Sequence, residues 1–184
     1  EYVRVFGDAF GPVGIEARTL AEALAAFQRS LVATNSPYDR FLRGDSTALT
    51  EQQLLGMQTF DDVGCDRCHS GPMFSDFALH AEGVMENPLL AEPDTSRGRF
   101  RFRTPSLRNV TLTAPYMHNG MLASLPEVMQ FYDVGRSQNP NVASGGRRGR
   151  GASGPPRVDG SFRRVGDMTE VQMHDIRRVL VGAH

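Results

Sequence analysis

The sequence holds only two cysteines, and they stand together as Cys65-Asp66-Arg67-Cys68, with His69 immediately after. Two thiols cannot build a disulfide framework, and alone they cannot complete a four-cysteine zinc site. Four chemistries remain. The cysteines are buried structural residues beside an unrelated histidine; or they form a redox pair, which calls for a βαβ setting; or they are half of a zinc site completed by histidines such as His80 and His118; or they attach a c-type haem. The last reading uses every residue of the run. Each thiol adds to one vinyl group of the porphyrin, the two intervening residues set the reach between the vinyls, and the histidine supplies the proximal nitrogen to the iron. The sixth ligand of such an iron is His, Met or, less often, Tyr. Downstream candidates are Met117, His118, Met121, Met129 and Tyr132. Each methionine also suits ordinary core packing, and Tyr132 suits a buried ring with a satisfied hydroxyl. From the residues alone Met121, Met129 and Tyr132 stay open.

These side chains need elements to carry them. Ile15, Leu20, Leu24, Phe27 and Leu31 form one apolar stripe and predict a helix over Ile15 to Val32, ended by Asn35-Ser36-Pro37. Tyr38 to Asp45 reads as a connector. Thr50-Glu51-Gln52-Gln53 has the form of a capping box and starts a second helix that runs out into Gly64, directly before the cysteines. From Ser70 to Thr113 the chain is rich in Gly, Pro, Asn and Asp and reads as loop, with a short extended piece at Phe100 to Arg103. Ser124-Leu125-Pro126-Glu127 starts another helix, in which Leu125, Val128, Met129 and Tyr132 share one face. Residues 133–166 hold eight glycines, three prolines and seven arginines, a long loop. A last helix is predicted over about Thr169 to Val181.

The 184 residues suffice for one good-sized domain or a domain with an appendage. Twenty basic residues, all arginine, against 21 acidic ones leave a net charge of −1, which argues against general nucleic-acid or membrane-surface binding. A hydrophobic share of 40 % fits a soluble globular chain, and no run approaches the ~20 apolar residues of a spanning helix. The opening Glu1-Tyr2-Val3-Arg4 is neither an initiator Met nor a signal peptide, so a mature or truncated product is expected. The run Gly145 to Gly151 has the composition of arginine-glycine segments, but one short copy reads better as plain loop.

The stretch from Phe102-Arg103-Thr104-Pro105-Ser106-Leu107-Arg108-Asn109-Val110 to Leu112-Thr113-Ala114-Pro115-Tyr116-Met117-His118-Asn119-Gly120 is distinctive. With Asn35-Ser36-Pro37-Tyr38-Asp39-Arg40, Gly71-Pro72 and Phe131-Tyr132, it resembles the bacterial dihaem cytochrome c peroxidases and MauG-type enzymes. The resemblance implies a mainly α-helical, class I cytochrome-c-like domain with a preceding linker helix and long loops. It places 1–14 as the tail of a missing N-terminal haem domain, 15–45 as linker helix and connector, and 46–184 as the haem domain.

The same resemblance implies one covalent haem c, held by Cys65 and Cys68, with His69 as proximal ligand. Family members carry Met or Tyr fourteen residues after the histidine of the Pro-Tyr-x-His-x-Gly motif. Here that position is Tyr132, with Met129 and Met121 as alternatives. His118 and Arg108, with Arg101 and Arg103, are expected near the haem edge or its propionates, and His80 as a hydrogen-bonded structural residue. Calcium between the family's two domains would be met here by the carbonyls of Thr113 and Pro115. The peroxide-binding haem and its acid/base groups belong to the other domain, so no catalytic residue is expected in this chain. The expected role is relaying electrons or storing oxidising equivalents, in the periplasm. The expected partners are the missing haem domain and an electron donor: a small cytochrome, a cupredoxin or a protein substrate. The competing reading is a monohaem electron-transfer protein without enzymatic activity.

Overall fold

The computed structural model describes residues 1–31, 35–134 and 137–143. The arginine-glycine run and the predicted final helix lie outside them. The described residues are helix-rich with little sheet, and the chain divides into two compact units, Glu1–Thr34 and Asn35–His184. The connector residues 35–45 therefore group with the haem-motif unit rather than with the helix before them.

The first unit is a helix, α1 (Tyr2–Phe10), a 3₁₀ turn (Gly11–Val13) and a second helix, α2 (Ala17–Ser30). The start of α2 is fixed by reciprocal capping. The Thr19 hydroxyl accepts the Glu16 N–H at 2.9 Å and donates to the Gly14 carbonyl at 2.8 Å, while the Glu16 side chain accepts the Thr19 N–H. The predicted stripe is present, but Leu20, Leu24, Phe27 and Leu31 are largely exposed. Helix α1 occupies residues that the resemblance assigns to the tail of another haem domain and for which the sequence pattern predicts no helix.

The second unit carries three helices among its described residues. The first, α3 (Pro37–Leu42), occupies the predicted connector. Asn35-Ser36-Pro37 is there a helix start and not a stop, because Ser36 caps Asp39 N at 3.1 Å and Pro37 sits in the first turn, where its missing N–H costs nothing. The next helix, α4 (Glu51–Asp62), begins at the capping box: Thr50 Oγ1 accepts from Gln53 N at 3.2 Å, and Gln53 Oε1 accepts from Thr50 N at 2.9 Å. The third, α5 (Leu125–Val134), starts after Ser124, with Glu127 taking the Ala123 N–H at 2.7 Å. The extended piece is real but short. Strand β2 (Phe102–Arg103) pairs antiparallel with β1 (Leu79–His80), Leu79 opposite Arg103 and His80 opposite Phe102.

One core unites these pieces. Phe60 of α4, Val84, Val110 and Leu122 of the loops, and Leu125, Val128, Met129 and Phe131 of α5 are buried in one cluster. Each such side chain contributes about 1.5–3 kcal/mol of transfer free energy. Phe60 of α4 and four residues of α5 share this cluster, and the long loop between the two helices supplies the rest.

Candidate functional site

The cysteine run lies on the turn that α4 feeds. Helix α4 ends at Asp62, and Gly64 takes φ +80°, a left-handed conformation that glycine adopts without strain. A single 3₁₀ turn, Cys65–Arg67, follows, and the His69 N–H returns to the Cys65 carbonyl at 2.9 Å. Two thiols and one imidazole thus share a tight turn beneath the helix end.

The loop after the turn fixes the imidazole. His69 Nδ1 donates to the Phe74 carbonyl at 2.9 Å, which leaves Nε2 as the lone-pair nitrogen. Burial pulls the His69 pKa below its ordinary value, so the ring is neutral, the form that ligates a metal. The loop is itself held in place. Asp76 N reaches the Cys68 carbonyl at 2.7 Å, Ser75 Oγ donates to Thr104 O at 2.7 Å, and Ser106 Oγ donates to Met73 O at 2.6 Å.

A cavity of about 280 Å³ opens between α4, α5 and the 102–118 loop. Its walls are mostly apolar, among them Phe60, Leu107, Val110, Leu125 and Val128. Cys65, His69, His118, Met117, Met129, Tyr132 and Glu82 also line it, as do Thr113 and Pro115. An apolar cleft with a few convergent donor atoms suits a flat, largely apolar group with a metal at its centre, so the residues fit a haem. Met121 packs against the core from outside this lining. Of the three open candidates for the sixth ligand, the cavity therefore brings two, Met129 and Tyr132, together with His69. Burial, then the negative charge of Glu82 on the same cavity wall, push the Tyr132 phenol well above its ordinary pKa.

The other expected residues divide. The His118 ring stacks on Phe102, centroids 3.5 Å apart and 10° from parallel, at the cavity wall, and burial keeps it neutral. Arg103 also lines the cavity. The Arg108 guanidinium is engaged elsewhere. It grips Asp39 of α3 through Nη1–Oδ2 at 3.0 Å and Nη2–Oδ1 at 2.8 Å, and its Nε reaches the Pro72 carbonyl at 2.6 Å. Both side chains are about one-tenth exposed. Arg108 holds Asp39 well below the usual carboxylate range, and Asp39 also accepts from Ser36 N and Oγ at 3.0 and 2.7 Å. The pair lines a second, more open cavity of about 400 Å³ that shares His69, Phe60 and Leu107 with the first. Arg101 bonds the Leu79 carbonyl at 2.5 Å, and His80 Nε2 lies 2.8 Å from Asp76 Oδ2, a structural partner as expected.

The rival chemistries find less support. A thioredoxin-type pair needs a depressed thiol pKa, whereas burial pushes Cys65 up to about 12, and the sheet is two residues deep. The zinc reading needs both cysteines with His80 and His118. Among the described residues the one cluster of possible metal-binding side chains is Cys68, Asp76 and His80, without Cys65 or His118.

Two residues that matter here carry no local signal. Asp39 lies in what reads as a connector, and its partner lies 69 residues away. Glu82 is an isolated acid in a loop.

Residues 1–47 match the family described as di-haem cytochrome c peroxidase. The chain is 35 % identical over 182 residues to a cytochrome-c peroxidase of Denitromonas iodatirespirans, covering 81 % of this chain and 49 % of that protein. It is 37 % identical over 151 residues to the methylamine utilization protein MauG of Methylorubrum extorquens, covering 77 % and 42 %. Among solved structures, a MauG-like protein associated with microbial copper homeostasis superposes with a TM-score of 0.69 at 29 % identity, over 96 % of this chain and 56 % of that one. The chain thus spans about half the length of the relatives it matches. The haem-type cysteine run, the cavity behind it and these likenesses agree: the chain belongs to the dihaem cytochrome c peroxidase and MauG family.

Proposed function

We propose that this chain is the C-terminal haem module of a periplasmic dihaem enzyme, with a class I cytochrome-c-like fold around one haem c. Cys65 and Cys68 would carry the thioethers, His69 Nε2 would bind the iron, and Tyr132, which lines the same cavity, would be its second protein ligand. Bound haem supplies a reversible one-electron couple and a store for oxidising equivalents. The residues of this chain do the rest. The Phe74 carbonyl holds His69 in the ligating tautomer, the apolar walls exclude water, and the His118–Phe102 stack closes one side. A phenolate ligand favours ferric iron and lowers the potential, where a thioether raises it. Such a module relays electrons, or shares oxidising equivalents, for peroxide chemistry at a second haem outside these residues. The same reading assigns the carbonyls of Thr113 and Pro115 to a calcium ion, since hard cations accept backbone oxygens.

The observation that carries the reading is the His69 Nδ1–Phe74 bond at the edge of the apolar cavity. Two measurements test it. A pyridine haemochrome spectrum of the purified protein should show two thioether links, and a spectrum without a c-type band defeats it. Steady-state turnover of peroxide with an electron donor, in the full-length protein, separates an enzyme module from a plain electron carrier. No turnover there supports the carrier.

A further inference from the structure

The carbonyl that orients His69 belongs to a residue that needs outside support. Phe74 has φ +50°, a left-handed conformation that a residue with a Cβ rarely takes and that persists only where its surroundings impose it. It sits in a turn over 70–75, closed by Ser75 N on the Ser70 carbonyl at 2.9 Å and Phe74 N on the Gly71 carbonyl at 3.0 Å. One other segment ties this turn down on both sides of Phe74. The Thr104 carbonyl accepts from Ser75 Oγ at 2.7 Å, Ser106 Oγ donates to the Met73 carbonyl at 2.6 Å, and Arg108 Nε donates to the Pro72 carbonyl at 2.6 Å. The last tie is anchored at its far end. Both Asp39 oxygens clamp the Arg108 guanidinium, at 3.0 and 2.8 Å, and Ser36 N and Oγ fix Asp39 in turn, at 3.0 and 2.7 Å. The nitrogen that holds Pro72 therefore belongs to a side chain that cannot swing. Helix α3 acts on the same turn a second time, for the Tyr38 ring packs on the Phe74 ring with centroids 4.9 Å apart.

We infer that Arg108, clamped by Asp39, is a positioning residue for the iron's proximal ligand: through the Pro72 carbonyl it holds the 70–75 turn so that the Phe74 carbonyl stays in line with His69 Nδ1. The inference rests on the reading of His69 as that ligand. The consequence is electronic as well as steric. A firm bond from Nδ1–H to a carbonyl leaves more electron density on Nε2, and a more basic imidazole favours ferric iron. Where the turn relaxes, the bond weakens and the balance moves toward ferrous iron. A lysine at position 108 keeps the charge but has no planar fork, so it cannot grip Asp39 with two nitrogens and Pro72 with a third.

The test compares Arg108→Lys, the double variant Asp39→Asn with Arg108→Met, and Val84→Ala, all in the haem-loaded protein. The double variant removes both charges together and so strands neither, and it serves where Arg108→Lys does not accumulate. Val84 is 3 % exposed in the common cluster and lines neither cavity, so its truncation reports what general loosening does. The readouts are the reduction potential of the haem and the solvent-exchange rate of the His69 Nδ1 proton, a hyperfine-shifted line in the proton magnetic resonance spectrum of the ferric protein. Arg108→Lys and the double variant are expected to speed that exchange and to shift the ferric–ferrous balance toward ferrous by about tenfold. For a one-electron couple that is a rise of about 59 mV. The sign separates positioning from a merely structural role, because a loosened pocket admits water, which favours the more highly charged ferric iron and lowers the potential. Val84→Ala is expected to lower the urea midpoint and leave both readouts at their wild-type values. Either readout unchanged in both Arg108 variants overturns the inference while His69 stands as ligand. A fall in potential, or an equal rise in Val84→Ala, also overturns it. A wild-type ferric spectrum without a hyperfine-shifted imidazole N–H line rejects His69 as the ligand, and the inference with it.

Discussion

Replacing Asp39 with alanine is expected to destabilise the haem-motif unit by about 3–5 kcal/mol, the usual cost of stranding one partner of a buried ion pair. The structure gives the same size from below. Arg108 makes two bonds to the carboxylate, at 3.0 and 2.8 Å, and hydrogen bonds to charged groups contribute about 1.5–3 kcal/mol each. An exposed pair would give only about 0–1 kcal/mol, so the two cases are separable. The assay is urea unfolding of the haem-loaded protein, followed by Soret absorbance and far-ultraviolet circular dichroism. Arg108→Met and the double variant complete a cycle that isolates the pair. The pH dependence has a definite sign. Asp39 titrates lower in the folded chain than its ordinary value of 3.8. Its contribution is therefore complete above that value, and is lost as pH falls below it toward the folded pKa. The wild-type advantage over Asp39→Ala should hold constant from pH 7 to about 5 and shrink on further acidification. A cost below about 1 kcal/mol at pH 7, or an advantage that does not shrink in acid, refutes the reasoning.

Other perturbations address the site directly. Tyr132→Phe should change the ferric spectrum and potential markedly, and a sulfur-to-iron charge-transfer band in the wild type would instead point to Met129. Cys65→Ala should leave a single thioether, seen as a red shift of the pyridine haemochrome band; an unshifted band removes Cys65 from the attachment. Gly83→Ala forces a left-handed φ on a residue with a Cβ, at about 1–2 kcal/mol, and adds the clash with Ser137. Its urea midpoint should fall clearly, and a wild-type midpoint argues against the close approach of Gly83 and Ser137. Met129→Ala removes a core side chain that is 6 % exposed and should cost about 2–5 kcal/mol while the resonance Raman modes of an iron-bound tyrosinate persist.

What the sequence revealed was local. The capping box at Thr50, the helix face of Leu125, Val128, Met129 and Tyr132, and the cysteine turn behind α4 all depend on neighbours within about one helical turn. What it hid was mostly long-range. Pro37 reads as a stop until Ser36 is known to cap Asp39, and helix α3 then follows. Strand β1 has no pattern of its own, because two residues cannot show a period, and it exists through β2 more than twenty residues later. Arg108 has the chemistry of a propionate partner, yet Asp39, remote in sequence, claims it. Glu82 is silent for the same reason: it shares a cavity wall with Tyr132, fifty residues further along the chain.

The Arg108–Asp39 contact also bears on the order in which this unit assembles. Joining residues 69 apart closes a loop whose entropic cost is about (3/2)RT ln 69, or ~4 kcal/mol. That is as large as the stabilisation the ion pair supplies, so the pair cannot nucleate folding by itself. Helices α4 and α5, of 12 and 10 residues, are too short to persist alone, so the burial of their apolar faces in the common cluster has to accompany or precede the clasp. The clasp then acts late and from the side of unfolding: mutations in it should speed the unfolding rate far more than they slow refolding. A unit built this way owes its persistence over time, more than its speed of formation, to one arginine.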